Sequence, residues 1–439
     1  MKSVFNLLVG FLLFSASVFA QDVHKWTLTE MIDYAIENNI SIKQSELTLK
    51  STTANYKQAK NNKLPSITGS TSYQLSNGSS IDQITNSWSS NMTNTNNFGV
   101  SANWTLYQGN QLNLRQDKGE LQLQENELYV EEAKNNISLS VLEAYINAIY
   151  AHEAITVSEN TLTSSASQLK QAQVKFNSGD IPKSDLADIE TQHATNQAEA
   201  VSAQQNYQLK VLALKQLLEL EPEVDFNIEI ITATTQHIIP NKEIVFAKAV
   251  EVLPTLKVYD NLKEQAEKDL AISKTGFLPT VSLSAGVNTG YTDNINYSYA
   301  NQLSNNVGQN VGIGISIPIF SKNQNKTNVA VAKIDLEQSD LNKIQAGKSL
   351  YANIETVWQN AISSQAQQQA SEIARNNAKT AYELAIKKYE FGGLTPADLL
   401  VSRNAYLNAE QNYLQNKYMA LLYQQLLKYY QGENVADLI

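Results

Sequence analysis

The chain has 439 residues, 17% of them charged and 42% hydrophobic, a balance that excludes a disordered tail and a conventional multi-span helical membrane protein. With 33 basic against 43 acidic residues it carries a formal net charge of −10, and no Lys/Arg cluster offers itself to a phosphate backbone, which excludes nucleic acid as a main partner. It contains no cysteine, so disulfides, thiolate metal sites and a lipid-modified N-terminal cysteine are excluded as well.

The first twenty residues, MKSVFNLLVGFLLFSASVFA, place Lys2 before an apolar core from Val4 to Leu13, with Val18 and Ala20 at the −3 and −1 positions. This predicts a secretory signal peptide over 1–20, cleaved after Ala20. The apolar stretch is short for a spanning helix, which needs ~20 residues, and no later segment reaches the ~18 consecutive apolar residues of a membrane helix. Any membrane entry by the mature chain is therefore expected through β-strands.

The rest of the chain is written twice. LPSITGSTSY (64–73) resembles LPTVSLSAGV (278–287), WTLYQGNQLN (104–113) lines up with IPIFSKNQNK (317–326), and KFNSGDIPKSDL (175–186) matches KYEFGGLTPADL (388–399). Val141 and Tyr145 correspond to Ile354 and Trp358 at the same offset. The expected organisation is a first repeat over 21–223, a linker over 224–242 and a second repeat over 243–439. Each repeat opens with a helix (about 28–62 and about 243–275) that runs through Leu-Pro into a strand. An Asn/Ser/Thr-rich loop follows, a second strand returns, and a very long helix begins.

Between Gly119 and Gly179 there is no Gly or Pro, so a continuous helix there would be roughly 90 Å long at ~1.5 Å per residue. Tight turns are expected at about 177–183 and 390–397, each followed by another helix. Helices of this length must pack as coiled-coil-like rods. Leu121, Leu128, Leu142 and Ile149 fall on a sevenfold frame, and Val130, Ile137, Val141 and Tyr145 form a second line. Both read as core stripes.

Four segments alternate with period two, at about 65–74, 98–107, 279–288 and 311–320. In the last, Val311, Ile313, Ile315, Ile317 and Ile319 oppose Gly312, Gly314, Ser316, Pro318 and Phe320. Phe98, Val100, Ala102, Trp104 and Leu106 oppose a face ending in Tyr107, and Val281, Leu283, Ala285 and Val287 oppose small polar residues. Each segment has the ~9–11 residues with which a tilted strand crosses a bilayer. Val100, Trp104, Val281, Leu283, Ile313, Ile315 and Ile317 are the expected lipid-facing residues. Four strands cannot close a barrel alone, and open edges are not tolerated in lipid. Closure requires further copies of the chain, and three would give twelve strands.

The signal peptide, the duplicated halves, the two strands per half and the turns KFNSGDIPKSDL and KYEFGGLTPADL together resemble the TolC-like outer membrane efflux protein family. The resemblance implies a mainly α fold with a membrane β-barrel portion: a homotrimer forming a 12-stranded barrel in the outer membrane of a Gram-negative bacterium, continued by a periplasmic α-helical barrel. It further implies an exit duct for small toxic compounds or proteins, with a periplasmic adaptor protein docked at the turns and, through it, an inner-membrane pump. The turn positions concerned are Phe176, Gly179, Asp185, Leu186, Tyr389, Gly392, Asp398 and Leu399. Asp185 and Tyr389 match residues of the family's mouth lock and Asp398 one of its acidic constriction, whereas the lock's arginine is Leu394 here and the second acidic position is Val401. On physical grounds alone, Asp185 and Asp398 also suit the first turn of a helix, where an anion favours the dipole, so a capping role and a gating role both stand.

Nothing in the chain points to catalysis or to a cofactor. His24, His152, His193 and His237 show no metal spacing, and there is no G-x-S-x-G, P-loop or dinucleotide loop. A periplasmic coiled-coil structural or adaptor protein is the alternative from another class. Such a protein would carry one long hairpin flanked by β-rich domains rather than a duplicated plan.

Overall fold

The computed structural model describes residues 24–81, 86–231 and 238–437. The expected signal peptide, His237 and parts of the first loop and the linker lie outside them. The elements in chain order are β1 (Lys25–Trp26), α1 (Leu28–Asn38), α2 (Ile40–Asn61), β2 (Ser66–Ile81), β3 (Trp88–Gln108), α3 (Gln111–Asn177), α4 (Lys183–Leu217), β4 (Asn227–Ile228), α5 (Lys242–Val252), α6 (Pro254–Thr275), β5 (Thr280–Thr292), α7 (Tyr299–Asn305), β6 (Gly308–Ser316), α8 (Gln324–Glu390) and α9 (Pro396–Tyr430). They divide into two units, one formed by 44–132 with 254–349 and the other by 24–43, 133–253 and 350–437. Among the described residues no helix is long and apolar enough to cross a membrane.

In the first of these units the four long strands form one antiparallel sheet in the order β2-β3-β5-β6. Directly opposed residues of a ladder share a face, and the register stacks the apolar sets of all four strands. Ile67 opposes Ala102, which opposes Ala285, which opposes Val311; Trp104 opposes Leu283, which opposes Ile313; Val281 opposes Ile315. The alternations seen separately in sequence are thus one continuous apolar face, with Val100, Trp104, Val281, Leu283, Ile313 and Ile315 all on it. Trp104 also donates its indole N–H to the Lys63 carbonyl at 2.7 Å, fixing the lower end of β3 to the chain before β2. The opposite face carries Ser, Thr, Gly and Asn.

The strands differ from the alternation in three places. β2 and β3 extend well past 74 and before 98, because ladder hydrogen bonds continue through the Asn/Ser/Thr-rich residues, where apolar alternation gives no signal. A bulge between Thr105 and Tyr107 leaves Leu106 unpaired and puts Tyr107 opposite Val281, so Tyr107 joins the apolar set. β6 ends at Ser316, and Ile317, expected on the lipid-facing strand, lies beyond it. Pro318 has no N–H to donate, and the ladder stops short of it.

The duplication is visible in the backbone. The turn between β3 and α3 uses two left-handed residues, Gly109 (φ 58°) and Asn110 (φ 67°), and that between β6 and α8 uses Lys322 (φ 51°) and Asn323 (φ 64°) at the equivalent places. At 109 only glycine fits, since a Cβ would lie 2.8 Å from Leu278 Cδ1. The helix that opens each repeat is broken once, at Asn39 (ψ 133°) and at Leu253 (ψ 142°). Leu253 precedes a proline, which disfavours helical backbone. The Asn39 carboxamide instead accepts the Ser41 N–H at 2.9 Å and starts α2 afresh.

In the same unit α6 is held by two crossed sets of ion pairs. Lys118 meets Asp269 at 2.7 Å and Asp117 meets Lys268 at 3.0 Å. Lys263 meets Asp340 at 2.7 Å, and Asp260 meets Lys343.

The other unit holds the main core: Met31, Ile32 and Ala35 of α1, Val141, Leu142, Tyr145 and Ile149 of α3, Leu214 of α4, and Tyr418, Leu421 and Leu422 of α9. The stripe residues Val141, Leu142, Tyr145 and Ile149 are therefore core, whereas Leu121 and Leu128, in the first-described unit, are half-buried. The corresponding aromatics of the two repeats both grip the segment that joins them. The Tyr145 hydroxyl donates to the Glu229 carbonyl at 2.8 Å, and the Trp358 indole donates to the Pro240 carbonyl at 2.8 Å. β4, in the same segment, pairs in parallel with β1, which ties the start of the described chain to the junction. Burial, with the nearby Glu229, pushes the Tyr145 phenol up to about 12, so it stays neutral and a donor at physiological pH. Tyr145→Phe is expected to cost about 1 kcal/mol and Tyr145→Ala about 3–5 kcal/mol, measured by denaturant unfolding of the detergent-solubilised protein.

Candidate functional site

The two turns expected at the ends of the long helices are built alike. α3 ends in a left-handed glycine, Gly179 (φ 82°), and α8 in Gly392 (φ 75°). In the first, the Asp180 N–H bonds the Lys175 carbonyl at 2.8 Å and the Gly179 N–H the Phe176 carbonyl at 3.0 Å. In the second, the Gly393 N–H bonds the Lys388 carbonyl at 2.8 Å and the Gly392 N–H the Tyr389 carbonyl at 3.1 Å. Each is a Schellman closure, in which the positive φ of the glycine lets the chain reverse while the last helical carbonyls stay paired.

The helices leaving the turns start differently. α9 has a full cap: Thr395 Oγ1 accepts the Asp398 N–H at 3.2 Å and donates to Asp398 Oδ2 at 2.6 Å, with Pro396 at the first helical position. α4 begins after Pro182 with no side-chain cap, and among the described residues Asp185 accepts from the Ser184 hydroxyl, at 3.2 Å. Asp398 is thus engaged at a helix start. Asp185, at the equivalent place, is free of the cap and close enough to Tyr389 for its charge to act on that phenol. Burial, and then Asp185, hold the Tyr389 phenol above its ordinary range. The Tyr389 hydroxyl is buried and makes no hydrogen bond among the described residues, so Asp185 and Tyr389 are neighbours without a direct bond.

A small core lies behind the turns: Ala172, Ile189, Tyr382, Ala385, Tyr389 and Leu399, flanked by Leu186 and Leu394. Leu394 therefore serves as an apolar packing residue. Phe176 is partly exposed, and Val401 points outward at 70% exposure.

Contacts across the two hairpins were not visible in sequence. Lys175, in the last turn of α3, donates to the carbonyls of Tyr389 and Glu390 at 3.3 and 3.5 Å and sits 4.7 Å from the centre of the Tyr389 ring. A cation there adds a second donor to the Tyr389 carbonyl and suits the negative end of α8. Gln168 donates to the Tyr382 hydroxyl at 3.0 Å, and Tyr382 stacks on Tyr406 at 5.8 Å. In each pair the partner lies one residue past the repeat counterpart: the turn alignment sets Lys175 against Lys388, and the contact is made with Tyr389. Among the described residues no group of three or more His, Asp or Glu could hold a metal ion.

Thr395→Ala, which removes the cap of α9, is expected to cost about 1 kcal/mol locally. Faster amide hydrogen exchange at Asp398 and Leu399, with the sheet amides unchanged, is the check.

Comparison with known proteins agrees with this architecture. The profile described as outer membrane efflux protein matches residues 31–219 and 249–432. The chain is 23% identical over 325 residues to the outer membrane protein TolC of Salmonella enteritidis, covering 70% of this chain and 63% of that protein. It is 19% identical over 379 residues to the outer membrane efflux protein BepC of Brucella suis, covering 86% and 79%. Among solved structures, VceC of Vibrio cholerae superposes with a TM-score of 0.78 at 17% identity, over 93% of this chain and 96% of that one. The CmeC outer membrane channel of Campylobacter jejuni gives a TM-score of 0.78 at 18% identity, over 93% and 87%. The two profile segments span most of both repeats, and the fold is that of these channels: the chain belongs to the outer membrane efflux protein family.

Proposed function

We propose that this protein is the outer-membrane exit duct of a tripartite efflux or type I secretion system. The observation that carries the reading is the single apolar face shared by β2, β3, β5 and β6 in a sheet with two unpaired edges. In lipid those edges need partners, and a copy of the same chain on each side supplies them. Three copies close twelve strands, with Val100, Trp104, Val281, Leu283, Ile313 and Ile315 toward lipid and the small polar face toward a water-filled lumen. Residues 1–20 act as the export signal, 21–223 and 243–439 are the two repeats, and 224–242 joins them. Most of the mature chain lies in the periplasm of a Gram-negative cell.

The turns around Gly179 and Gly392 form the inner mouth, where a periplasmic adaptor protein docks and connects the duct to an inner-membrane pump. Phe176, Leu186 and Leu399 shape that end, and Asp185, Tyr389 and Asp398 are its gate residues. Three copies of Asp398 make a ring of carboxylates that favours cations at the constriction. The protein catalyses nothing and needs no cofactor; cargo moves through it.

Fractionation and planar-bilayer recording test this reading. The expected result is a heat-modifiable trimer in the outer-membrane fraction with discrete conductance; release with the soluble periplasm and no conductance would overturn it in favour of a coiled-coil adaptor. Asp398→Asn is expected to lower cation selectivity, read as a shift in reversal potential under a salt gradient. Gly392→Val is expected to impair export while the heat-modifiable trimer persists, and loss of the trimer instead would remove the turns from the mouth.

A further inference from the structure

One cation in the turn-bearing hairpins is buried with no ion-pair partner among the described residues. Arg403 of α9 is 3% exposed. Its Nη2 donates to the Oδ1 of Asn196 on α4, itself 1% exposed, and that oxygen also accepts from Gln192 Nε2 at 2.9 Å. Arg403 Nη1 and Asn196 Nδ2 are buried with no hydrogen-bond partner among the described residues. The charged and titratable groups whose fields reach the guanidinium are Tyr382 and Glu199; burial outweighs both and holds it below its ordinary range. A guanidinium presents five donors, and one neutral carboxamide oxygen meets neither its charge nor its geometry. Of the five buried side-chain atoms left unpaired among the described residues, three (Asn196 Nδ2, Tyr389 Oη and Arg403 Nη1) belong to these hairpins. Unpaired buried polar groups are costly, and water that reaches them removes the cost.

We propose that Arg403 and Asn196 are a gate-determining pair: the contact joins the hairpin of the first repeat to that of the second in the shut mouth, and its unmet donors, satisfied once water enters, set how readily the two part. This rests on the reading of the turns as the mouth. The pair stands in place of the charged link that Leu394 cannot make. Its incompleteness is what keeps the shut state from being locked, since a carboxylate at 196 would give the guanidinium the partner it lacks.

The test is single-channel recording of the full-length protein in planar bilayers. Asn196→Asp is expected to lower the open-to-shut ratio by about tenfold, the size of effect a close charge pair produces. In an Arg403→Met background the same substitution is expected to raise that ratio, because the buried carboxylate then has no partner. An Asn196→Asp channel that behaves as the parent does, or that shuts equally well without Arg403, would overturn the proposal. Trimer heat-modifiability reports on assembly of each variant, and Arg403→Gln supplies a second background in which Asn196→Asp again fails to shut the channel. Because the parent has no cysteine, Lys175→Cys with Glu390→Cys can be joined by a bis-maleimide to tie the turns directly. If that tie leaves conductance unchanged, the mouth reading falls and this pair with it. If the tie shuts the channel and Asn196→Asp does not, only the role of Arg403 falls.

Discussion

A sheet of four strands with one apolar face and two unpaired edges cannot rest alone in any solvent. In water the apolar face would be exposed, and in lipid the edge N–H and C=O groups would have no partner. That constraint organises the rest. It demands neighbours along the sheet, and the same strands must hand the chain over to long helices. The abrupt left-handed corners at Gly109–Asn110 and Lys322–Asn323 lead directly into those helices.

The duplication sets what is shared between the repeats and where each departs. Corner geometry, the break in the opening helix and the Schellman turn occur twice, because each is a backbone requirement that several side chains can meet. Gly109 and Lys322 show the tolerance: one position is crowded by Leu278 and needs glycine, while its counterpart accepts lysine in the same conformation. Departures occur where chemistry differs. Thr395 and Asp398 cap α9 while Pro182 leaves α4 uncapped, so equivalent aspartates have different surroundings.

Much of this was legible in sequence for a specific reason. Period-two alternation reports a face, so the pairing of Leu283 with Ile313 and of Val100 with Val287 follows once the register is known. Alternation does not report hydrogen bonds, so the polar extensions of β2 and β3 gave no sign. A one-residue bulge shifts every later side chain to the other face, which is how Tyr107 changed sides. The isoleucines on either side of Pro318 continue the alternation past Ser316, where the ladder ends, so the pattern takes in Ile317 although the strand does not. At the turns, glycine and cap residues carry local signals that sequence shows well. Lys175 and Arg403 act across hairpins, and a lone cation on a helix looks the same whether it faces solvent or a neighbour.

The crossed ion pairs along α6 have a consequence that differs from stabilisation. Their side chains are part-exposed, and such pairs contribute little, about 0–1 kcal/mol each. Within each set, however, the sign changes from one α6 residue to the next. Asp260 and Lys263 meet Lys343 and Asp340 in antiparallel order. Sliding α6 by one turn along α8 would bring Lys263 against Lys343, turning attraction into repulsion. Long apolar stripes cannot prevent such a slip, since one turn of a helix resembles the next. The charges therefore act as the notches of a key, rejecting wrong alignments of α6 along α8.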